Sequence, residues 1–317
     1  FSKFDLIFAN ILFLPLLLLM GILISESTGR ILGLGKPLLY KTDPLVGYRL
    51  QPNQNSKRRN NSTVTTDYEG FRVNHKVQKD SFKEIVVFVG DSITYGGSYV
   101  DNSELFASIY CEGKEELLCL NGGLNAWGIG NMGKFISNFS LYSERLPSKF
   151  IVVILPGDDL RDQQIFRGLP FWSQLPKHPR ATNEVLKHLL STHIIPGLTS
   201  RGIESTSDPI IEKTQKDIAW KELSNNIKSA GSATEVFITP PREWFEDPDK
   251  SSADIKTYDE YLKLLSNLPN VKKTCNLYYS IKNDFSPSDY VDDVHLSAKG
   301  QKKWAKYLKL CKKIFKI

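Results

Sequence analysis

The stretch from Val86 to Gly96, VVFVGDSITYG, decides how the rest of the chain is read. Ile85 to Val89 is apolar and β-branched, with the length of a fully buried strand. Gly90 breaks that run, and Asp91-Ser92 stands where a helix can begin. A serine on a sharp strand-to-helix turn lifts its hydroxyl above the sheet edge, where N–H groups can stabilise negative charge. This is the physical logic of a nucleophile elbow, although the pattern is Gly-Asp-Ser and not Gly-x-Ser-x-Gly. A tight turn followed by a helix N-cap is the structural alternative for the same tripeptide.

The far end of the chain supplies what such a serine needs. Asp292-Asp-Val-His295-Leu-Ser297 lies just before a strongly helical tail. An aspartate three residues ahead of a histidine, on a loop entering a helix, provides a base and a carboxylate to orient it. The two stretches, with two more between them, resemble the SGNH/GDSL hydrolase family over roughly residues 80–316. The resemblance implies an α/β fold with a doubly wound parallel sheet, a flavodoxin-like three-layer sandwich. It also implies Ser92 as nucleophile, His295 as base and Asp292 as the residue holding the imidazole.

Two intermediate blocks complete the pattern. Asn121-Gly-Gly-Leu-Asn-Ala-Trp-Gly128 resembles the block whose glycine N–H joins the oxyanion hole, and the alignment puts Ala126 in that place. Alanine keeps the N–H, and a Gly-rich strand-to-helix loop is the structural alternative. Pro156-Gly-Asp-Asp-Leu-Arg-Asp162 follows the buried strand Lys149 to Leu155 and resembles the Gly-Asn-Asp block. Here Asp158 replaces the asparagine. An ionised carboxylate only accepts hydrogen bonds, so the side-chain oxyanion donor is lost, at a typical cost of about 3–4 kcal/mol. A protonated Asp158, or one turned aside to leave two backbone donors, is compatible with activity. Asp91, Asp159 and Asp293 are expected to be caps or loop acceptors.

Composition sets the outer bounds. The 317 residues are 41% hydrophobic, enough for one large core plus an appendage. A net charge of +6, dispersed along the chain, gives no argument for nucleic acid. Cys111, Cys119, Cys275 and Cys311 lack metal-ligand spacing. Cys119 in an apolar run and Cys311 on an apolar helix face read as buried free thiols, with a Cys111–Cys119 bridge open for an extracytoplasmic domain. His178, His188 and His193 have no partners spaced for a metal site. No metal or organic cofactor is expected.

Leu6 to Ile24 carries no charge over 19 residues, about 28 Å of helix, and reads as a single-pass signal anchor. Arg30, Lys36 and Lys41 after the span, against Lys3 before it, oppose an outward domain by charge count. The resemblance to membrane-anchored relatives places it outside. The expected organisation is therefore anchor 1–25, connector or small β-containing subdomain 26–83, and hydrolase-like domain 84–317 with an insertion at about 161–212. In the connector, Thr63–Thr66 and Phe71–Val73 are expected to form a hairpin, with Ser56 to Ser62 an exposed basic loop.

Beyond the blocks, helices are expected from Ser92 to about Ile109, over Asn131–Arg145, Lys213–Ala230 and Asp254–Leu268. Strands are expected at Leu117–Leu120, Glu235–Thr239 and Asn276–Ile281. This alternation predicts helices on both faces of a parallel sheet, with Ser92, Ala126, Asp158 and His295 at one end. Phe166, Phe171 and Trp172 in the insertion read either as core packing or as a lid or acyl-binding wall. The tail buries Trp304, Tyr307, Leu308, Cys311, Ile314 and Phe315 and leaves a lysine face in solvent or at a membrane surface. The resulting expectation is a serine esterase or O-acyltransferase acting on an ester-bearing small molecule, glycan or lipid, acetylated glycans first. The alternative is a catalytically impaired glycan-binding or assembly protein on the same fold.

Overall fold

The computed structural model describes residues 3–74, 82–161, 180–189, 209–246, 251–268, 271–273, 281 and 283–314. Four short strands come first: β1 (Tyr40–Asp43) pairs antiparallel with β2 (Gly47–Leu50), and β3 (Asn55–Lys57) with β4 (Thr63–Thr65). The main sheet follows, with β5 (Glu84–Gly90), β6 (Leu117–Asn121), β7 (Lys149–Ile154), β8 (Ala233–Ile238) and β9 (Val271–Lys273). All its pairings are parallel and its spatial order is β6-β5-β7-β8-β9. Renumbered within the sheet, this is the flavodoxin-like order 2-1-3-4-5, whose switch point lies between β5 and β7.

The alternation along the strands explains the three layers. Val87 and Val89 of β5, with Phe150, Val152 and Ile154 of β7, enter one core. There they meet α4 (Ile129–Ser137), α6 (Pro209–Ala230) and α7 (Ser251–Ser266), through residues such as Met132, Leu223 and Tyr258. Val86 and Phe88, with Ile151 and Val153, enter a second core against α3 (Phe106–Cys111) and α8 (Ala298–Ile314). Each such side chain stabilises the fold by about 1.5–3 kcal/mol through burial. The tail buries Trp304, Tyr307, Leu308 and Cys311 as its periodicity predicts; the side chains of Ile314 and Phe315 lie outside the described residues.

Several local expectations are corrected. The helix after Ser92 is a single turn, α2 (Ser92–Tyr95), because Gly96 takes the left-handed conformation at φ +83° and its N–H closes on the Ser92 carbonyl. Helical structure resumes only at α3. The Asn131 helix starts at Ile129 and ends at Ser137, where the Asn138 side chain bonds the Lys134 carbonyl. Thr63–Thr65 pairs mainly with β3, and its hairpin with Phe71–Val73 reduces to a Thr66–Arg72 bridge. The last described strand is β9; residues 276–280 of the expected strand, and the aromatic wall at 166–172, lie outside the described residues. Cys111 and Cys119 form a disulfide across eight positions, and Cys311 is also disulfide-bonded. The free-thiol reading fails because burial alone does not distinguish a thiol from a bridged half-cystine.

Helix α1 (Lys3–Ile31) is long and apolar enough over Phe13–Ile31 to cross a membrane. A buried core helix or a signal sequence passes the same test of length and composition. The C-terminal end of α1 meets α5 (Ala181–Leu189), where the Glu26 carboxylate accepts the Ala181 and Thr182 N–H groups at 3.1 Å each. The connector is fastened to the sheet by Arg72. Its backbone pairs with Asn121 at the edge of β6, at 3.0 and 3.2 Å. Its fully buried guanidinium donates to the carbonyls of Tyr95, Gly97 and Val100 and to Asn102 Oδ1, all within 2.6 Å. Arg72→Met removes these charge-assisted bonds and leaves buried acceptors unpaired, so it is expected to destabilise the fold by about 3 kcal/mol or more. Urea unfolding checks this; a loss below about 1 kcal/mol would show that the guanidinium is not a structural tie.

Candidate active site

Strand β5 delivers Ser92 to the switch point. Gly90 pairs with Val153 of β7, and a Cβ there would lie 2.6 Å from the Val153 carbonyl oxygen and 2.1 Å from Thr94 Oγ1. Only glycine lets the chain turn so close to its neighbour. Asp91 then caps α2, its Oδ1 accepting the Ile93 N–H at 2.8 Å, which makes the expected cap a real one. Ser92 Oγ lies 2.8 Å from His295 Nε2, a residue 203 positions later. His295 Nδ1 lies 2.7 Å from Asp292 Oδ2 and 2.9 Å from Oδ1. Because an ionised carboxylate only accepts, chemistry assigns the proton to Nδ1 and leaves Nε2 to accept the serine proton.

The loop carrying His295 is held independently of that contact. The Val291 N–H donates to the His295 carbonyl at 2.8 Å, and Tyr290 Oη donates to the Pro240 carbonyl at 2.7 Å. The Asp293 carbonyl accepts the Arg242 N–H at 2.8 Å. Partial burial works against ionisation of Asp292, but the N–H groups of His295 and Val294 and the imidazole outweigh it. Its carboxyl therefore titrates below the ordinary value of 3.8 and stays ionised near neutral pH. The pair is open to solvent, with 28% of the His295 side chain and 53% of the Asp292 side chain exposed.

Ala126 sits on the neighbouring loop in the left-handed region, at φ +61°, a conformation that favours glycine. Tyr48, from the connector, donates its hydroxyl to the Asn125 carbonyl, and the Asn125 amide donates to Tyr40 Oη at 3.2 Å. The Asn125 carbonyl and the Ala126 N–H belong to one planar peptide. Holding the carbonyl therefore fixes the direction of the N–H. No acceptor among the described residues takes the N–H of Ser92 or of Ala126.

Asp158 is fully buried, and its carboxylate is committed elsewhere. Oδ2 accepts the Leu155 N–H at 2.9 Å. Oδ1 lies 2.9 Å from Arg161 Nη1, an ion-pair distance without hydrogen-bond alignment. Arg161 Nη1 is also 3.3 Å from Asp91 Oδ2 and donates to the Trp127 carbonyl at 3.3 Å. Burial pushes the Asp158 carboxyl well above its ordinary range and the Asp91 carboxylate pushes it further, against Arg161. Burial raises Asp91 as well, again opposed by Arg161. Two buried carboxylates facing one guanidinium thus favour holding one proton between them.

Asp159 accepts from Trp220 Nε1 at 3.0 Å and Tyr261 Oη at 2.9 Å, as expected of a loop acceptor. Sequence reasoning missed Arg161 and Tyr48. The spacing of Arg161, three residues after Asp158, was a usable signal; Tyr48 offered none. His178, His193 and the His188 side chain lie outside the described residues. A groove of about 710 Å³ between α3 and α8, floored by Ile109 and Leu310 and rimmed by lysines, shares no residue with this site.

No protein-family model matches the chain, and no curated protein sequence matches it. Among solved structures it is similar to a member of the lipolytic protein G-D-S-L family from Veillonella parvula DSM 2008. That likeness has 16% identity and a TM-score of 0.40, and covers 72% of this chain and 97% of the other. It is also similar to TesA, at 11% identity and TM-score 0.41, over 73% of this chain and 99% of TesA. A third is a catalytic mutant of Axe2, an acetylxylan esterase from Geobacillus stearothermophilus. It shows 11% identity and TM-score 0.41, over 74% of this chain and 96% of the other.

A raised folded-state pKa makes Asp158 cost stability as pH climbs. Between the unfolded value of 3.8 and the raised folded value the native state binds more protons, so stability falls with increasing pH in that window. Asp158→Asn keeps an oxygen for the Leu155 N–H and removes the titration. It is expected to be more stable than wild type at pH 8, with the difference closing toward pH 4. Thermal melts across pH check this, and parallel curves for the two proteins would contradict it.

Proposed function

We propose that this protein is a serine ester hydrolase of SGNH/GDSL type. The observation that carries the reading is the unbroken contact chain from Ser92 Oγ to His295 Nε2 and from His295 Nδ1 to Asp292, at 2.8 and 2.7 Å. Fold does not fix function, so the reading rests on this site and its neighbours.

In this mechanism Ser92 Oγ bonds to the ester carbonyl carbon while His295 Nε2 takes the hydroxyl proton. The carbonyl π pair moves onto its oxygen, which the N–H groups of Ser92 and Ala126 receive. The carbon–alkoxy bond then breaks and His295 returns the proton to the leaving alcohol. Water, activated by the same imidazole, hydrolyses the acyl-serine; an alcohol in its place gives O-acyl transfer. Asp292 holds the Nδ1–H tautomer and stabilises the imidazolium. Asp158 is given no direct role: its Oδ2 accepts the Leu155 N–H and its Oδ1 lies at ion-pair distance from Arg161.

The organisation proposed is anchor 1–25, connector 26–83 and hydrolase-like domain 84–317. The Cys111–Cys119 bridge and the disulfide at Cys311 support an oxidising compartment for that domain. With α1 as a single-pass anchor, an extracytoplasmic, ester-bearing glycan is the favoured substrate, and a lipid ester the alternative. A second reading, a glycan-binding or assembly protein on the same fold, is favoured by one observation: position 158 carries a buried aspartate, set against the Leu155 N–H and Arg161, where the resemblance calls for an asparagine.

Fluorophosphonate labelling of the full chain in detergent separates the two readings. One adduct on Ser92 is expected, absent in Ser92→Ala and strongly reduced in His295→Ala. Ser92→Ala should abolish ester turnover with an unchanged melting temperature, and Asp292→Asn should slow it by about 10²-fold or more. A folded wild-type protein that takes no label would favour the binding protein.

A further inference from the structure

We propose that Arg161 is a third oxyanion donor in this site, a catalytic residue that binds the charge developing on the substrate carbonyl. The inference rests on the ester-hydrolase reading and deepens it.

The guanidinium is fastened at one corner. Its Nη1 corner touches Asp91 and the Trp127 carbonyl. Asp91 immediately precedes Ser92, and Trp127 immediately follows Ala126. The cation is thus moored beside both residues whose backbone N–H groups have no acceptor among the described residues. Asp91 Oδ2, which Arg161 contacts at 3.3 Å, is itself only 3.4 Å from Ser92 Oγ. The third mooring is Asp158 Oδ1 at 2.9 Å.

Every contact of Arg161 with these groups runs through Nη1. The N–H groups on Nε and Nη2 meet no acceptor among the described residues, and they are not sealed in the core, since 25% of the side chain is exposed. An arginine is a rigid planar fork, so pinning one corner sets the direction of the others. A guanidinium already oriented by buried carboxylates needs little reorganisation when negative charge appears, which is the condition for electrostatic catalysis. Asp158 then has a positioning role: it holds the cation that does what its own carboxylate cannot.

The test compares Arg161→Gln and Arg161→Lys with wild type in the full chain, using a p-nitrophenyl acetate assay, inhibition by a phenylboronic acid and thermal melts. Ser92 converts the boronic acid into a tetrahedral anion, so its inhibition constant reads oxyanion binding. Arg161→Gln is expected to lower kcat by about 10²–10³-fold with little change in KM, and to weaken boronate inhibition in step. Arg161→Lys preserves a cation for Asp91 and Asp158 but withdraws the fork. It should keep the wild-type melting temperature and still lose about tenfold or more in kcat. Wild-type kcat and boronate affinity in a folded Arg161→Lys would overturn the inference and leave the hydrolase reading intact. A wild type that neither turns over ester nor takes label at Ser92 would remove both. If Arg161→Gln does not fold, the lysine variant alone decides.

Discussion

One guanidinium meets two carboxylates that have no access to water. Asp91 and Asp158 come from the ends of adjacent parallel strands, so the sheet itself brings two acids to its switch point. Without a cation between them, their burial would oppose the packing of β5 against β7. Arg161 satisfies that constraint from the loop after β7, and in doing so it reaches the Ala126–Gly128 loop as well. Arg161 thereby touches the residue before Ser92, the residue after Ala126 and Asp158 at once. A buried ion cluster of this kind is weak evidence for stability. Its physical consequence is orientation, because both buried carboxylates draw the same corner of one guanidinium.

The connector takes part in the same arrangement. Arg72 ties it to the segment following the Ser92 turn and to the edge of β6, and Tyr48 reaches the peptide that carries the Ala126 N–H. Residues of the first seventy-odd positions therefore shape the backbone around Ser92 while contributing nothing to the Ser92–His295–Asp292 chain. Glu26 at the end of α1 caps α5, and Arg58 of the connector pairs with Glu184 on that helix. A helix able to cross a membrane is thus joined to the folded domain by directional bonds. That join limits how far the domain can turn relative to α1.

Much of the architecture was legible in the residues themselves. Apolar runs ended by glycine, and apolar faces of period 3.6, are local patterns, and they located every main-sheet strand up to β8 and the sense of the alternation. The α/β class follows from that alternation, while the flavodoxin-like arrangement was implied by the family resemblance and its strand order is set by the tertiary structure. Element boundaries were less legible. Gly96 ends α2 after one turn because a left-handed residue closes the helix there, whereas the apolar pattern continues past it.

The sequence by itself determined which residues could do chemistry: a serine after a buried strand and an Asp-x-x-His motif before a final helix. Each is a short pattern whose members are neighbours in the chain. Only the tertiary structure decided that Ser92 and His295 touch, that Asp158 turns to Leu155 and Arg161, that Tyr48 holds the Asn125 peptide, and that Cys111 and Cys119 are bridged. The physical reason is the range of the forces. Hydrophobic period and turn chemistry act over a few residues, while the pairing of a buried charge, a hydroxyl or a thiol depends on what the fold brings within about 3 Å of it.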